Sequence, residues 1–351
     1  MRKAISVLTT ALSLVVGLVI CEIIIRKVDG VPLWPLHHPS LAVAEYHQLL
    51  GWRHREYLGP GHRFITGAFG LRMNSVGVRP PEPGGILVVG DSFTLGSEVR
   101  EHETFPAQLE RQLGRQVMNA AVHGYGSEQM ILNAEDLIPI LQPSFLVIGM
   151  MDVAINRAGY EVTYGDHRPW FDVSSGELRH HNNPVPRRLR SCLGWLGYSY
   201  LAVWITDHIE RSGAARHVSV ENDPAVVTCA LLRRLKIFTD ARSIPVIMAM
   251  LYAGTDRLPQ TDKATEKVRP TTVAKCGAEL GIEIVDLWEP MVAMARDDPD
   301  AYRGLYNHRG AHQEIWGHLS VAGNAFVARQ IAQRMRTMIP VSSAQGRLPS
   351  N

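Results

Sequence analysis

The chain has little cysteine and almost no excess of either charge. Its four cysteines, at positions 21, 192, 229 and 276, form no C-x-x-C pair, so the sequence indicates neither a zinc site nor a redox dithiol. Lys and Arg total 36 against 34 Asp and Glu, a formal net charge of +2, which gives no reason to expect a nucleic-acid partner. With 46% hydrophobic residues the chain can bury a full core, which excludes a disordered protein.

A long apolar run occupies the N-terminus. Ala4 to Ile25 is 22 residues long, Glu22 is its only charge, and two basic residues flank each end. As a helix it would span roughly 33 Å at about 1.5 Å per residue, which matches a bilayer core. A cleaved signal peptide would have a shorter apolar region followed by a small-x-small site, whereas isoleucines and Arg26 follow here. We therefore predict an uncleaved, single-pass transmembrane signal anchor over residues 4–25.

The flanking charges alone do not orient this anchor. Because the segment before it is very short and the body after it is large, we expect the body to lie outside the cytoplasm. The predicted location is the inner (cytoplasmic) membrane, with the folded domain in the periplasm.

From residue 84 onwards, short apolar runs alternate with helical segments. Five runs are typical of strands buried on both faces: ILVVG (86–90), QVMNAAV (116–122), FLVIGM (145–150), PVIMAML (245–251) and EIVDLW (283–288). The helical segments are 104–113, 127–141, 224–242, 270–280 and 321–338, the fourth beginning at Pro270. This alternation predicts a three-layer α/β/α sandwich around a five-stranded parallel sheet of the flavodoxin-like type, preceded by one transmembrane helix.

The remaining segments define the domain boundaries. Residues 26–83 are rich in Pro, Gly and His without a sustained period and are interpreted as a juxtamembrane lead-in, so the domain proper runs from 84 to 340. An insertion at about 156–221 interrupts the alternation of strands and helices. This insertion either shapes a binding site or covers one edge of the sheet. We expect the tail, 341–351, to be disordered.

Ser92 is the first candidate for chemistry. It lies in GDSFTLG directly after the first predicted strand, and in a parallel sheet ligand sites form beyond the carboxyl ends of the strands. A serine there can expose its hydroxyl and hold its backbone N–H near a helix start, where an oxyanion is stabilised. The alternative is a turn hydroxyl that caps a helix. A phosphate-binding loop is excluded because no Gly-Lys-Ser/Thr follows.

Two further segments, together with this one, resemble a known family. VVGDSFTLGSEVREHETFPAQLE, NAAVHGYGSEQ and GHLSVAGNAFVA resemble, in this order, the first, second and last blocks of the SGNH (GDSL-like) hydrolases, of the membrane-anchored bacterial type. This resemblance implies that Ser92 is a nucleophile that forms an acyl-enzyme and that His318 takes and returns its proton. It also implies that the backbone N–H groups of Ser92 and Gly124 line an oxyanion hole.

The chain departs from the family pattern at two places. The third block should be Gly-x-Asn-Asp, with the Asn side chain as an oxyanion donor, but residues 149–152 are Gly-Met-Met-Asp, and Met151 cannot donate a hydrogen bond. The family's acid precedes the histidine by two or three residues, where this chain has Trp316 and Ile315. Glu314, one residue further back, is the predicted acid.

Asn156 or His123 are the predicted substitute donors to the hole, and Asp152 is interpreted as a helix cap. Although histidines occur at 308 and 312, we predict neither a metal nor any other cofactor.

These features predict a membrane-anchored, extracytoplasmic serine esterase or O-acyltransferase. Its substrates would be O-acyl (acetyl) groups of glycans or cell-envelope esters, and its partners the acylated substrate and the membrane. The alternative is a catalytically impaired SGNH-like protein that binds a glycan or an envelope partner. Met151 and Trp316 motivate this alternative, together with the tryptophans of the insertion, Trp170, Trp195 and Trp204. A scaffold subunit of a polysaccharide export or modification complex is a third hypothesis.

Overall fold

A five-stranded parallel sheet forms the centre of the molecule. In the computed structural model the described residues are 2–30, 33, 43–163, 166–174, 176–188, 196, 199–212, 222–255, 264–309 and 315–338. The strands of the central sheet are β3 (Ile86–Gly90), β4 (Val117–Asn119), β5 (Phe145–Met151), β10 (Val246–Leu251) and β11 (Glu283–Asp286), in the spatial order β11-β10-β5-β3-β4. Every pairing in it is parallel, which confirms the predicted fold class.

Helices connect and cover these strands. They are α2 (Ser92–Leu95), α3 (Phe105–Leu113), α4 (Ser127–Leu141), α5 (Asp152–Arg157), α7 (Pro224–Asp240), α8 (Ala264–Glu279), α9 (Trp288–Asp297), α10 (Pro299–Arg303) and α11 (Val321–Met338). The apolar residues of β3, β5 and β10 are almost fully buried, as expected for strands with helices on both faces. The helix predicted from Pro270 begins earlier, so this proline lies inside α8.

The lead-in packs on the domain that follows it. A hairpin of β1 (Ala44–His47) and β2 (Gly51–His54) opens this region, and Leu50, Ile65 and Leu71 belong to the main hydrophobic core. The backbone N–H of Arg72 donates to Asn119 O at 2.8 Å, at the edge strand β4. Strands of four residues are too short to produce a visible period, so the sequence alone did not indicate them.

The described part of the insertion contains two small hairpins and a helix. These are β6 (Val162–Thr163) with β7 (Asp166–His167), β8 (Trp170–Ser174) with β9 (Glu177–His181), and α6 (Tyr200–Ser212). The β8–β9 hairpin packs on α7, and the guanidinium of Arg168 is buried against Glu128 at the start of α4. The described part of the insertion therefore covers helices of the domain. Trp195 and the tail, 341–351, lie outside the described residues.

The N-terminal helix α1 runs from Arg2 to Val28. Its segment Ile5–Val28 is the one helix in the described part of the chain that is long and apolar enough to cross a membrane. Most of its side chains are exposed in the isolated molecule. The last two hairpin strands, β12 (Tyr306–Arg309) and β13 (Ile315–Leu319), precede α11 and carry His318 to the carboxyl edge of the sheet.

Candidate active site

Ser92 is the first residue of α2, at the carboxyl end of β3. The helix starts here because Asp91 accepts a hydrogen bond from the backbone N–H of Phe93 at 3.0 Å, the usual geometry of an N-cap. Gly90 permits this sharp turn, since a Cβ at that position would collide with the side chain of Thr94. The Ser92 backbone N–H is consequently one of the unpaired donors at a helix start.

Asp91 serves the fold rather than the reaction. It is fully buried, and Arg157 Nη1 lies 3.2 Å from its Oδ2. Burial raises the pKa of Asp91 above its ordinary value, although the Arg157 charge and the hydrogen bond from Phe93 oppose this. Asp91 thus fixes the turn from which Ser92 projects.

His318 hydrogen-bonds to Ser92. Its Nε2 lies 2.9 Å from Ser92 Oγ, and the Phe93 ring lies beside the imidazole, with 4.8 Å between the ring centroids. The two residues are 226 positions apart in the chain, so the contact forms when the β12–β13 hairpin docks beside α2.

A carboxylate completes the series, and it is Glu98. Its Oε1 lies 2.8 Å from His318 Nδ1, and its Oε2 accepts a hydrogen bond from the His318 backbone N–H at 3.2 Å. Arg309 forms an ion pair with the same carboxylate. Partial burial raises the pKa of Glu98, but the hydrogen bonds and charges of His318 and Arg309 outweigh this and hold it below its ordinary value. Glu98 is therefore ionised at neutral pH and orients the imidazole.

The sequence around His318 explains why the acid comes from elsewhere. Gly317 leaves room for Glu98, because a Cβ at position 317 would lie 2.6 Å from Glu98 Oε2. Trp316 instead packs among aromatic rings, 5.4 Å from Tyr306 and 4.6 Å from His308 between centroids.

The predicted acid, Glu314, lies outside the described residues, so its role stays a prediction. Within the described residues, Glu98 is the carboxylate at His318 Nδ1. The indirect signal for Glu98 is Gly317, because a glycine directly before the histidine leaves space for a side chain from elsewhere.

The ends of three neighbouring strands bring the residues of the candidate oxyanion hole to one edge of the sheet. Val122 N donates to Gly90 O at 3.1 Å, and Gly90 pairs with Gly149, so the residues two positions further along all lie at one edge. These residues are Ser92, Gly124 and Met151. Gly124 has φ +74°, the left-handed region that favours glycine. Within the described ranges, the backbone N–H groups of Ser92 and Gly124 have no hydrogen-bond acceptor.

Met151 occupies the position of the third donor. It is fully buried at the end of β5, and its thioether has no proton to donate. Among the described residues, the candidate hole therefore has backbone donors alone.

Asn156 is not brought to the hole. It lies on α5, and its Oδ1 accepts a hydrogen bond from Arg269 Nη1 at 2.8 Å. Arg269 in turn pairs with Asp223 at the start of α7. Among the described contacts none joins Asn156 to Ser92, so the structure assigns it to packing between helices.

His123 lies near the site but acts through another residue. Its Nε2 is 2.7 Å from Ser97 Oγ and its Nδ1 is 3.3 Å from His54 Nε2. Ser97 Oγ donates its single proton to Ser92 O at 3.0 Å, so His123 Nε2 must donate to Ser97. Both nitrogens of His123 are occupied, and its hydrogen bonds hold the backbone of Ser92 rather than supply a donor to the hole.

This histidine pair predicts a pH-dependent stability. Burial lowers the pKa of His123 to about 3 and that of His54 well below 6.5, so the folded state keeps both neutral while the unfolded chain takes up protons below pH 6.5. Stability should therefore fall with decreasing pH, by about 1.4 kcal/mol per pH unit for each histidine. Urea unfolding midpoints of the full chain in detergent, measured between pH 7 and pH 5, test this. His123→Gln should flatten the slope by about one proton, and an unchanged slope would contradict the assignment.

The lead-in holds the loop that carries Ser97 and Glu98. Arg72 Nη1 donates to Leu95 O at 2.7 Å and Gly96 O at 2.6 Å, and its Nη2 donates to Val99 O at 2.7 Å. Burial lowers the pKa of Arg72 to about 10, which leaves it cationic at neutral pH. Sequence reasoning missed this role, because a buried arginine that binds carbonyl groups has no local motif.

A hydroxyl, an imidazole and a carboxylate thus lie in hydrogen-bonding series at the carboxyl edge of a doubly wound α/β sheet, beside two unpaired backbone donors. This constellation is that of a serine hydrolase.

Comparison with solved structures returns the following similar proteins. The chain is similar to a lipolytic protein of the G-D-S-L family from Desulfitobacterium hafniense, at 14% identity and a TM-score of 0.40, over 71% of this chain and 98% of that one. It is similar to the acetyl xylan esterase AlAXEase, at 13% identity and a TM-score of 0.43, over 71% and 98%. It is also similar to a lipase/acylhydrolase from Enterococcus faecalis, at 14% identity and a TM-score of 0.43, over 74% and 100%. No protein-family model and no curated protein matches the chain.

Proposed function

We propose that this chain is a membrane-anchored serine esterase that works through an acyl-enzyme on O-acyl groups of glycans or other cell-envelope esters. The observation that carries the proposal is the hydrogen-bonded series from Glu98 through His318 to Ser92. The apolar helix α1 supports the anchor.

The hydrogen bonds of His318 support the following proton transfers. His318 Nδ1–H donates to Glu98, so Nε2 is the free base that takes the proton of Ser92 Oγ as this oxygen bonds to the ester carbonyl carbon. The carbonyl oxygen becomes an oxyanion, and the backbone N–H groups of Ser92 and Gly124 donate hydrogen bonds to it. His318 then returns the proton to the leaving alkoxide, and the ester C–O bond breaks. Water then attacks the carbonyl carbon of the acyl-enzyme, and His318 takes the proton of this water. His318 returns the proton to Ser92 Oγ as the acid product leaves.

Active-site labelling tests the proposal directly. The full chain in detergent is treated with a fluorophosphonate, and the adduct is mapped by mass spectrometry, alongside hydrolysis of p-nitrophenyl acetate. We expect one adduct, on Ser92, and loss of esterase activity in proportion to labelling. A folded chain that takes no label and cleaves no activated ester would overturn the enzyme assignment.

Hydrolysis and transfer differ only in what resolves the acyl-enzyme. A sugar hydroxyl that enters in place of water yields an O-acylated product. Adding a glycan acceptor during turnover of p-nitrophenyl acetate therefore distinguishes a hydrolase, whose acetate yield stays equal to the nitrophenol released, from a transferase, whose acetate yield falls.

Met151 favours a second candidate, a glycan-binding protein with impaired catalysis. Its burial at the third donor position removes one contribution to the hole, a loss that costs about 10² to 10³ in rate in serine hydrolases. The aromatic residues of the insertion give this candidate little support. Trp170 already stacks on His181, with 3.8 Å between the ring centroids.

The variant Met151→Asn separates the two candidates. If the site is catalytic with two backbone donors, an amide placed two residues beyond Gly149 should raise kcat for p-nitrophenyl acetate by roughly tenfold or more. Met151→Leu is the matched control and should leave kcat near the wild-type value. A folded Met151→Asn variant with no gain in kcat would contradict the register assignment of position 151 to the hole.

A further inference from the structure

Glu22 is the one charge inside the apolar run of α1, and the structure shows what it binds. Its carboxylate pairs with Arg26 at 2.6 Å, and it accepts hydrogen bonds from Ser199 Oγ at 2.9 Å and from the backbone N–H groups of Tyr200 and Leu201 at 2.8 Å each. These N–H groups belong to the first turn of α6, where a helix supplies no acceptor of its own. Glu22 therefore caps α6 across a tertiary contact.

The neighbouring contacts strengthen the same junction. Arg26 is fully buried, and its guanidinium lies over the Tyr200 ring, 5.6 Å from the centroid. The Tyr200 hydroxyl donates to Asp29 Oδ2 at 2.7 Å. Glu22 and Arg26, on consecutive turns of α1, and Asp29, just beyond its end, thus hold the first turn of α6.

This junction fixes the height of α6 relative to a membrane. A hydrocarbon core about 30 Å thick takes about 20 helical residues, so a span that begins at Ile5 ends close to Ile24. Glu22 then lies in the last turn before the boundary, and α6 starts at the membrane surface.

The outer side of α6 is apolar. Trp204, Ile205 and Ile209 are exposed by 37%, 43% and 55%, whereas Tyr200 and Val203 face the protein and are buried. Trp204 also stacks on His208, with 4.1 Å between the centroids. These exposed side chains share one stripe of the helix, and a tryptophan on such a stripe is typical of the membrane interface.

We propose that α6 lies in the interfacial layer of the bilayer that α1 crosses, with Trp204, Ile205 and Ile209 in contact with phospholipid. The occupant is lipid rather than a protein because the first turn of α6 is bound to α1, whose apolar side chains are also exposed. The inference rests on the proposed anchoring by α1. It gives the catalytic body a second point of attachment, so the body works on esters close to the membrane surface.

Quenching by brominated phospholipid tests this contact. The full chain is reconstituted into phosphatidylcholine vesicles with or without bromine on the acyl chains, and tryptophan emission is compared between wild type and Trp204→Phe. We expect the quenched part of the emission to fall about twofold in Trp204→Phe, because interfacial tryptophans lie within reach of the acyl chains. Trp288→Phe is the control, since Trp288 packs on Tyr252, and its quenching should equal that of wild type.

The variant Glu22→Leu tests the docking of α6 independently of the anchoring by α1. It lengthens the apolar run but removes the acceptor for the first turn of α6, so we expect the protein to stay in the membrane after alkaline extraction while the Trp204-dependent quenching is lost. Wild type that resists extraction but shows no such quenching would overturn the interfacial helix and leave the anchor intact. Cross-linking of two copies through α6 without quenching would also overturn it, in favour of a second copy. Wild type released by alkali would instead overturn the anchor, and the inference with it.

Discussion

Ser92→Ala should abolish ester hydrolysis without unfolding the protein. The substitution removes the hydroxyl that lies 2.9 Å from His318 Nε2, so no acyl-enzyme can form, and we expect kcat to fall by about 10⁴- to 10⁶-fold. The contacts that fix the turn survive, because Asp91 caps α2 through the backbone of Phe93 and Ser97 binds the carbonyl of Ser92. The measurement is p-nitrophenyl acetate turnover together with fluorophosphonate labelling.

Ser75→Ala provides the matched control. Ser75 is exposed, and its hydroxyl contacts only the carbonyl of Gly77 among the described residues, so activity and labelling should match wild type. Full activity in Ser92→Ala would place the nucleophile elsewhere and remove the basis of the proposed function. Loss of activity with a lowered thermal midpoint would point to a structural role for Ser92, and equal midpoints distinguish the two cases.

Glu98→Gln should lower kcat by about 10² to 10⁴ with little change in KM. An amide cannot stabilise the imidazolium that forms on His318, and it allows the wrong tautomer, with the Nε2 proton facing Ser92. Glu98→Asp keeps the charge but shortens the side chain, so it should retain more activity than Glu98→Gln. Stopped-flow kinetics with p-nitrophenyl acetate would measure kcat and KM for both variants.

Glu314→Gln is the comparison that decides between the two candidate acids. Because Glu98 occupies His318 Nδ1, we expect Glu314→Gln to keep near wild-type kcat. The reverse result, with Glu98→Gln active and Glu314→Gln inactive, would restore the acid that the sequence pattern predicted.

The stability of Glu98→Gln should also differ from that of wild type at acidic pH. The folded-state pKa of Glu98 lies below its ordinary value, so its contribution to stability is present above the ordinary glutamate pKa and is lost as the pH falls through the lower folded value. Glu98→Gln has no such titration, and its stability should vary less with pH in this acidic range.

The sheet and the serine motif could be predicted because their signals are local. Each central strand is a short apolar run buried on both faces, and Ser92 directly follows one of them. Gly124 and His318 were found from the order of the three motifs along the chain.

Glu98 could not be found in this way. Its role arises from a contact with His318 across 220 positions, and nothing in the local pattern of GSEV distinguishes a functional carboxylate from a solvated one. The roles of Arg72 and His54 were not predicted for a similar reason, because the lead-in has short strands and no regular period. Gly317 was the one indirect clue, since a glycine directly before the histidine leaves space for a side chain from elsewhere.

The position of Glu98 has a consequence for how the site is assembled. The proposed nucleophile, acid and backbone donors belong to the segment 90–124, and Arg72 ties that segment to the residues just before it. The proposed base, His318, arrives from the far end of the chain, on the hairpin that precedes α11. In the proposed mechanism, a chain still in synthesis therefore lacks its proton acceptor until its C-terminal part has emerged and docked.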